Sequence, residues 1–276
     1  MLRGLLAFLL MVPLMALGDA GKLDSFEGDV RITGKGGLRR AAPGLVIEEG
    51  DTVRTATNAW ALFEMSDGAS ITVRAATEMR VTRYRFTEDG PPAQNSSSID
   101  IVKGALRIIT GLIGSTNRGG YSINTATATM GVRGTDHEPA YYPAGDEELD
   151  GHEPGAFDKV NEGETFIRNL DGEETVIPRG RVAFMGIQRG LRPRLLEGEP
   201  LLYRRQAKQE LRVAARREAM LQRIQERRKQ RQQELREKKA ERSEIRAEKK
   251  SALEEKQEAI RERLQEKRER RQDKSD

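Results

Sequence analysis

Residues 121–130 read Tyr-Ser-Ile-Asn-Thr-Ala-Thr-Ala-Thr-Met, the longest clean alternation of side chains in this 276-residue chain. Successive side chains of a strand point to opposite faces, so the alternation is typical of β structure. The two faces would be those of Ala126, Ala128, Met130 and Val132, and of Ile123, Thr125, Thr127 and Thr129. The small side chains predict one strand packed closely against a neighbouring layer.

On both sides of this stretch the chain keeps the same character. From Phe26 to about Gln188 the apolar runs are short, rich in Val, Ile and Thr, and separated by Gly, Asp and Pro. This pattern predicts an all-β domain over residues 21–200, either a compact sandwich or a stacked, β-helix-like fold. In residues 59–65 one face of the predicted strand collects Ala59, Ala61, Phe63 and Met65, so that face should be buried.

A glycine recurs just before short strands that carry an arginine. The four glycines are Gly28, Gly50, Gly104 and Gly163. Their spacings of 22, 54 and 59 residues are too irregular for a strict solenoid repeat. Because corners between strands often need backbone angles that a Cβ forbids, we expect these glycines at such corners.

In these motifs the chain resembles the FecR-like domain family of bacterial envelope proteins. The matching stretches are 28–30, 49–55, 61 with 67–71, 103–107, 124–135 and 161–165, which span about residues 26–187. The resemblance implies a non-catalytic, extracytoplasmic β domain that binds or relays. The regulators that gave the family its name place a sigma-factor-binding segment and a membrane helix before this domain. About 25 residues precede it here, which favours a standalone secreted module.

The two histidines lie in similar contexts, Asp136-His137-Glu138-Pro139 and His152-Glu153-Pro154. The sequence predicts an acidic, solvated loop at about residues 136–158 in which the histidines cap turns. Coming directly after a conspicuous strand, this loop is the expected binding surface, with Arg133, Asp136, His137 and Glu138 as candidate residues. A metal site at His137 and His152, serving a metal-dependent carbohydrate or peptide hydrolase, is the alternative. No catalytic residue and no cofactor is otherwise implied.

The N-terminal segment predicts export. Arg3 precedes an apolar run from Leu5 to Leu17, and small residues follow up to Ala20. This pattern is typical of a signal peptide over residues 1–20, cleaved to leave a periplasmic or secreted protein. The absence of cysteine excludes disulfides and thiol chemistry.

The last 76 residues differ in composition from the rest. All 27 glycines and all 10 prolines lie at or before Pro200, so residues 201–276 predict one long, charged helix. Residues 204–276 carry 26 Lys/Arg and 16 Asp/Glu (net +10), whereas residues 1–203 carry 22 and 28 (net −6). We expect the helix to act as a tether or spacer, with its first part packed on the domain or a partner.

The basic tail has three candidate partners outside the cytoplasm. These are an envelope protein, an anionic envelope polymer or membrane surface, and a second copy of the chain. Rows of like charge four residues apart, such as Lys238 to Lys250 and Glu254 to Glu266, could pair between two antiparallel helices. Nucleic acid is not expected as a partner, because the predicted location is extracytoplasmic.

Overall fold

The computed structural model describes residues 19–132, 134–149 and 151–272, and the predicted signal peptide therefore lies almost entirely outside the described residues. The first nine strands are β1 (Gly21–Glu27), β2 (Val30–Gly34), β3 (Gly37–Arg40), β4 (Val46–Ile47), β5 (Thr52–Thr55), β6 (Trp60–Met65), β7 (Ser70–Val73), β8 (Glu78–Arg85) and β9 (Ser96–Ile109). The other elements are α1 (Leu112–Thr116), β10 (Tyr121–Asn124), β11 (Ala128–Val132), β12 (Asp136–Tyr142), β13 (Gly155–Glu162), β14 (Glu164–Asn169), β15 (Glu174–Pro178), β16 (Val182–Gly186), β17 (Arg194–Leu195) and α2 (Leu201–Gln272).

The strands form two sheets that share β9. Sheet A has the pairing order β4-β1-β6-β7-β9-β12-β13-β16-β17. Sheet B has the order β3-β2-β5-β8-β9-β10-β11-β14-β15, and only its β9–β10 pair is parallel. The first half of β9 pairs in sheet B and its second half, from Gly104, pairs in sheet A.

The four predicted corner glycines lie where the chain passes from one sheet to the other, which confirms the expectation that they occupy corners. All four have positive φ, between 76° and 97°. Gly104, inside β9, is the most constrained, because an added Cβ would lie 2.3 Å from Thr77 Oγ1 and 2.6 Å from Thr77 Cα. A side chain at this corner would meet both backbone strain and a steric clash.

The main core collects apolar side chains from both sheets. It includes the predicted face of β6, Ala61, Phe63 and Met65, all at most 2% exposed. The opposite face of β6 is also buried, since Trp60 and Leu62 are 2% and 0% exposed. Sheet A is therefore covered on both faces, whereas the sequence pattern indicated burial on one.

The alternating stretch at 121–130 is two strands rather than one. β10 and β11 pair antiparallel, with Ile123 opposite Met130, and both side chains are fully buried. The turn between them is stabilised by Thr125, whose Oγ1 accepts hydrogen bonds from the N–H groups of Thr127 (3.3 Å) and Ala128 (3.0 Å). A threonine hydroxyl that accepts hydrogen bonds from the backbone two and three residues further on favours a turn over a continuing strand. Because of this turn, Ile123 lies on the same face as Met130, and not on the opposite face as predicted.

The predicted acidic loop at 136–158 is mostly a β-hairpin. β12 and β13 pair along their length, and the connection is limited to residues 143–154. β12 also pairs with β9, so it lies inside sheet A. Because sheet A is covered on both faces, charged side chains of this acidic stretch meet partners on neighbouring elements. These contacts explain why the stretch is structured.

The prediction of a compact β domain followed by a long helix is confirmed, although the compact unit is not purely β. It contains the short helix α1, and it extends to Leu221, so it includes the first part of α2. The second unit, from Gln222 to the last described residue, is helical throughout. In the described part of the chain, no helix is sufficiently long and apolar to span a membrane.

Candidate functional site

The outer face of sheet A is covered by the first part of α2. Near the helix start, Leu202 and Tyr203 pack into a second apolar cluster with residues of β9, β12, β13 and β16, namely Ala105, Ala140, Tyr142, Phe157, Val182 and Phe184. The hydroxyl of Tyr203 donates a hydrogen bond to the backbone oxygen of Glu138 (2.9 Å). This contact ties the helix start to the strand that carries the predicted site.

The buried side of α2 repeats with spacings of three and four residues. Val213 and Met220 are fully buried, and Arg217 between them is 4% exposed. Glu210, one turn before Val213, is partly buried. This spacing places a carboxylate and a guanidinium among the apolar side chains that face the sheet.

Glu210 and Arg217 belong to a cluster of six ionisable side chains between the helix and sheet A, which we call the charge cluster: Arg74, Arg107, Asp136, Glu138, Glu210 and Arg217. Arg74 follows β7 and is 2% exposed; its Nη2 lies 2.6 Å from Glu138 Oε2 and 3.4 Å from Glu210 Oε2. Three cations and three anions make the cluster formally neutral. Such balance is what allows charges to be buried at all, because an unpaired buried charge is strongly destabilising.

Arg107 connects the strand half of the cluster to the helix. Its Nε and Nη2 donate to the two carboxylate oxygens of Asp136, at 2.9 and 2.6 Å, and its Nη1 bonds Glu210. Arg217 also bonds Glu210, and it donates from Nη2 to Thr72 Oγ1 (3.1 Å) on β7. Glu210 is thus held by arginines from the sheet and from its own helix.

Protonation follows from this geometry. Burial disfavours the charged form of Glu210, but its hydrogen bond to Arg217 and the charges of Arg217, Arg74 and Arg107 together lower its pKa. Burial likewise works against charged Arg107, yet Asp136, Glu210 and Glu138 raise its pKa. Both groups therefore stay ionised, and α2 is held on sheet A by charge-assisted hydrogen bonds.

The predicted site residues divide between two faces of β12. Asp136 and Glu138 lie on the outer face, inside the charge cluster, and Glu138 also accepts a hydrogen bond from Asn161 Nδ2 (2.8 Å). His137 points the other way and is fully buried. Arg133 lies outside the described residues.

The prediction of solvated, turn-capping histidines is wrong for His137. Its Nδ1 lies 2.9 Å from Asp158 Oδ1 and its Nε2 lies 3.2 Å from the Tyr121 hydroxyl. Asp158 in turn accepts a hydrogen bond from Thr165 Oγ1 (2.8 Å). Burial, reinforced by the charge of Asp158, raises the pKa of Tyr121 well above its ordinary value. This chain of polar groups is closed off from solvent.

His152 has different surroundings from His137. Its Nε2 accepts a hydrogen bond from the backbone N–H of Leu201 (3.1 Å), one of the N–H groups that a helix start leaves without a helical partner. Its ring lies edge-on to Phe157. The two histidines of the metal alternative therefore have separate partners, and the described residues contain no group of three or more potential ligands arranged to hold a metal ion.

Sequence reasoning did not identify Arg74, Arg107, Tyr203, Glu210 and Arg217 as site residues. A signal was present in the strand, because Arg74 directly ends the apolar run Ile71-Thr72-Val73. In α2 the buried stripe becomes visible only if Glu210 and Arg217 are counted together with the apolar positions Val213 and Met220. Leu211, which apolarity alone would place in the interface, is 79% exposed.

Comparison with known proteins yields one family match. The model of the FecR protein family matches residues 51–146, about a third of the chain. That span contains the strand half of the charge cluster, Arg74, Arg107, Asp136 and Glu138, whereas Glu210 and Arg217 lie beyond it. No curated protein matches the sequence.

The solved structures similar to this chain include two of one bacterial protein. Both are crystal structures of a "putative anti-sigma factor" from Parabacteroides distasonis ATCC 8503, at 14% and 12% identity and a TM-score of 0.39 in each case. Each comparison covers 54% of this chain and 60% of the other, so this chain spans less than two thirds of that protein. The resemblance predicted from the sequence motifs is confirmed to the extent that residues 51–146 match the FecR family model.

Proposed function

We propose that this protein is a non-enzymatic module of the bacterial envelope, in which a FecR domain binds a partner outside the cytoplasm and holds the base of a long charged helix. The observation that carries the proposal is the charge cluster. It fixes the first part of α2 to the same sheet that presents the FecR strands, so the helix leaves the domain from a defined base rather than from a flexible linker.

The absence of an enzymatic role is part of the proposal. Asp136 and Glu138 are occupied by arginines, and His137 is fully buried, so these side chains are used by the fold itself. The hydrolase alternative would need His137 and His152 to share a ligand. Metal analysis of the purified protein tests this point, since stoichiometric bound metal that is lost in His137→Ala would support the alternative.

Extracytoplasmic location is tested with the N-terminal segment in place. The full chain, fused at its C-terminus to a phosphatase that is active only outside the cytoplasm, should give active reporter in a bacterial host. A fusion lacking residues 1–20 should not. Equal activity of the two fusions, or none from either, would contradict the proposed location.

We further propose that the tail binds anionic envelope material. In the second unit the described side chains of Lys238, Arg242, Arg246 and Lys250 are exposed. Replacing these four by Gln in the full chain should weaken cosedimentation with purified peptidoglycan or with vesicles containing anionic lipid, and added salt should weaken it further. Replacing Glu234, Glu237, Glu241 and Glu244, which are also exposed, is the matched control and should strengthen binding.

Self-association of the tail is a second candidate. Isolated apolar side chains stay exposed along the helix, among them Leu235 at 42%, Ile245 at 44% and Leu253 at 57%. A second copy could cover them. Sedimentation equilibrium of the full chain at low salt distinguishes the candidates, because a monomer at high concentration rules out pairing and leaves polymer binding standing.

A further inference from the structure

A polar cleft lies at one end of sheet B, away from the charge cluster. It has a volume of about 560 Å³ and is lined by side chains from the end of β8, from the connection that leads into β9, and from the segment between α1 and β10. Its lining is almost wholly polar, with Ala93 as the one apolar residue. Apolar ligands would find no surface to bury here, so the cleft suits a hydrophilic ligand.

Two arginines of β8, Arg83 and Arg85, line this cleft. They are two residues apart on one strand and exposed on the same face, while Tyr84 between them is buried, with its hydroxyl 2.9 Å from Asp67 Oδ1. Within the described ranges neither arginine has a carboxylate in ion-pair contact. Glu88 and Asp89 follow on the same connection but do not line the cleft.

Ion pairs among the described residues do not use Arg83 or Arg85, although the domain is acidic. Residues 1–203 carry six more acidic than basic side chains. Arg54 and Arg168 of sheet B are paired with Glu78 and Glu174, whereas Arg80 on β8, like Arg83 and Arg85, has no ion pair among the described residues. What distinguishes Arg83 and Arg85 is that they line one cleft together, and two guanidinium groups side by side are suited to a carboxylate or phosphate.

Another part of the cleft wall is built from amides that are held in place. The Asn95 side chain is buried and bonds the backbone of Thr87 in both directions, accepting from its N–H (2.9 Å) and donating to its oxygen (3.3 Å). Asn117 Nδ2 donates to the Asn95 backbone oxygen (2.9 Å). A Cβ at Gly120 would lie 2.4 Å from both of these bonded atoms, so the absence of a side chain there permits the contact. The wall is therefore preorganised.

We propose that this cleft binds a sugar acid or a sugar phosphate, with Arg83 and Arg85 holding the anionic group. The guanidinium pair supplies the charge recognition. The exposed amide of Gln94 and the hydroxyl of Ser96 both donate and accept hydrogen bonds, as sugar hydroxyl groups require. The volume falls within the range of pockets that enclose small ligands.

This inference is independent of the tail proposals. It places a small-molecule site among residues that match the FecR model, and it involves no residue of the charge cluster. If the tail bound no envelope polymer, the variants of the cleft would still test whether the cleft binds a ligand. Conversely, an empty cleft leaves the docking of α2 unaffected.

The test is isothermal titration calorimetry of the full chain with three probes: digalacturonate, glucose 1-phosphate and neutral maltose. We expect saturable binding of at least one anionic probe and none of maltose. The probe that binds shows whether the cleft recognises the carboxylate of a sugar acid or the phosphate of a sugar phosphate. The double variant Arg83→Gln/Arg85→Gln should weaken the binding at least tenfold, because each lost charged hydrogen bond is strong in a site of this kind.

The matched control is Arg80→Gln/Arg179→Gln. Arg80 lies on the same strand and Arg179 in the same domain; both are exposed and neither lines the cleft. The control removes the same charge and should keep the affinity, which also separates the cleft from any nonspecific attraction to the basic tail. Unchanged thermal unfolding of both variants excludes misfolding. Equal weakening in the two double variants, or no saturable binding of either anionic probe, would overturn the proposal.

Discussion

Glu210 of the C-terminal helix and Arg74 of the β domain are ion-paired across the surface of sheet A, with 3.4 Å between Glu210 Oε2 and Arg74 Nη2. The two residues are far apart in sequence, and Arg74 is almost fully buried. Arg74 also holds Glu138 of β12, so a single guanidinium links two strands to the helix. The predictions below follow mainly from this arrangement.

Removing Arg74 should be strongly destabilising. In Arg74→Met, Glu138 loses its arginine and Glu210 loses one of three, and breaking a buried pair in this way costs about 3–5 kcal/mol. Urea unfolding measures the loss. Arg54→Met is the control: its pair with Glu78 is surface-exposed, at 51% for the arginine, and should contribute no more than about 1 kcal/mol. Similar losses in the two variants would show that the cluster does not hold the fold.

Acid should release the helix. Folding lowers the pKa of Glu210, so the docked state binds this proton less tightly than the undocked one. The stability that Glu210 contributes is complete above its ordinary pKa and is lost as the pH falls through the lowered pKa of the folded state. Trp60 is the chain's only tryptophan and has the guanidinium of Arg216 5.4 Å from its ring centroid, so its fluorescence reports docking.

Glu210→Gln isolates this carboxylate from the others in the cluster. The variant should show weaker docking at pH 7 and a smaller change in Trp60 emission between pH 7 and pH 3 than the wild type. An identical titration in the two proteins would contradict the role assigned to Glu210.

Gly104→Ala should destabilise the domain more than an ordinary substitution at a positive-φ glycine. Gly172 has nearly the same φ, +89° against +91°, but a Cβ there meets nothing within 4 Å. Gly172→Ala should therefore cost about 1 kcal/mol from backbone strain alone. The clash with Thr77 should add about 1–3 kcal/mol in Gly104→Ala. Equal unfolding free energies would mean that Thr77 yields without cost.

Tyr203→Phe removes one hydrogen bond of the interface and leaves its packing. The expected loss is about 1 kcal/mol, since the backbone oxygen of Glu138 loses a buried donor. Tyr141, also buried, has no hydroxyl hydrogen bond among the described residues, so Tyr141→Phe should be nearly neutral. A neutral Tyr203→Phe would show that the hydroxyl contact does not contribute to docking.

How much the sequence could predict depended on whether a pattern was local. The corner glycines could be predicted, because each reflects the backbone preference of one residue. The helix from Leu201 could be predicted, because a long stretch contains only helix-compatible residues. The turn at Thr125 was not predictable, because the alternation of side chains over residues 121–130 is also typical of one continuous strand. The hydrogen bonds of the Thr125 hydroxyl decide for the turn. The buried state of His137 and Glu138 depended on partners 16 or more residues away, such as Tyr121, Asp158 and Arg74, which no spacing rule connects.

The docking of α2 on sheet A is tested most directly by amide hydrogen exchange of the full chain. We predict that amides at residues 210–220 exchange about as slowly as those of β9 and β12, that amides at 225–250 exchange much faster, and that Arg74→Met abolishes the difference. Equally fast exchange along the whole helix in the wild-type protein would contradict the account.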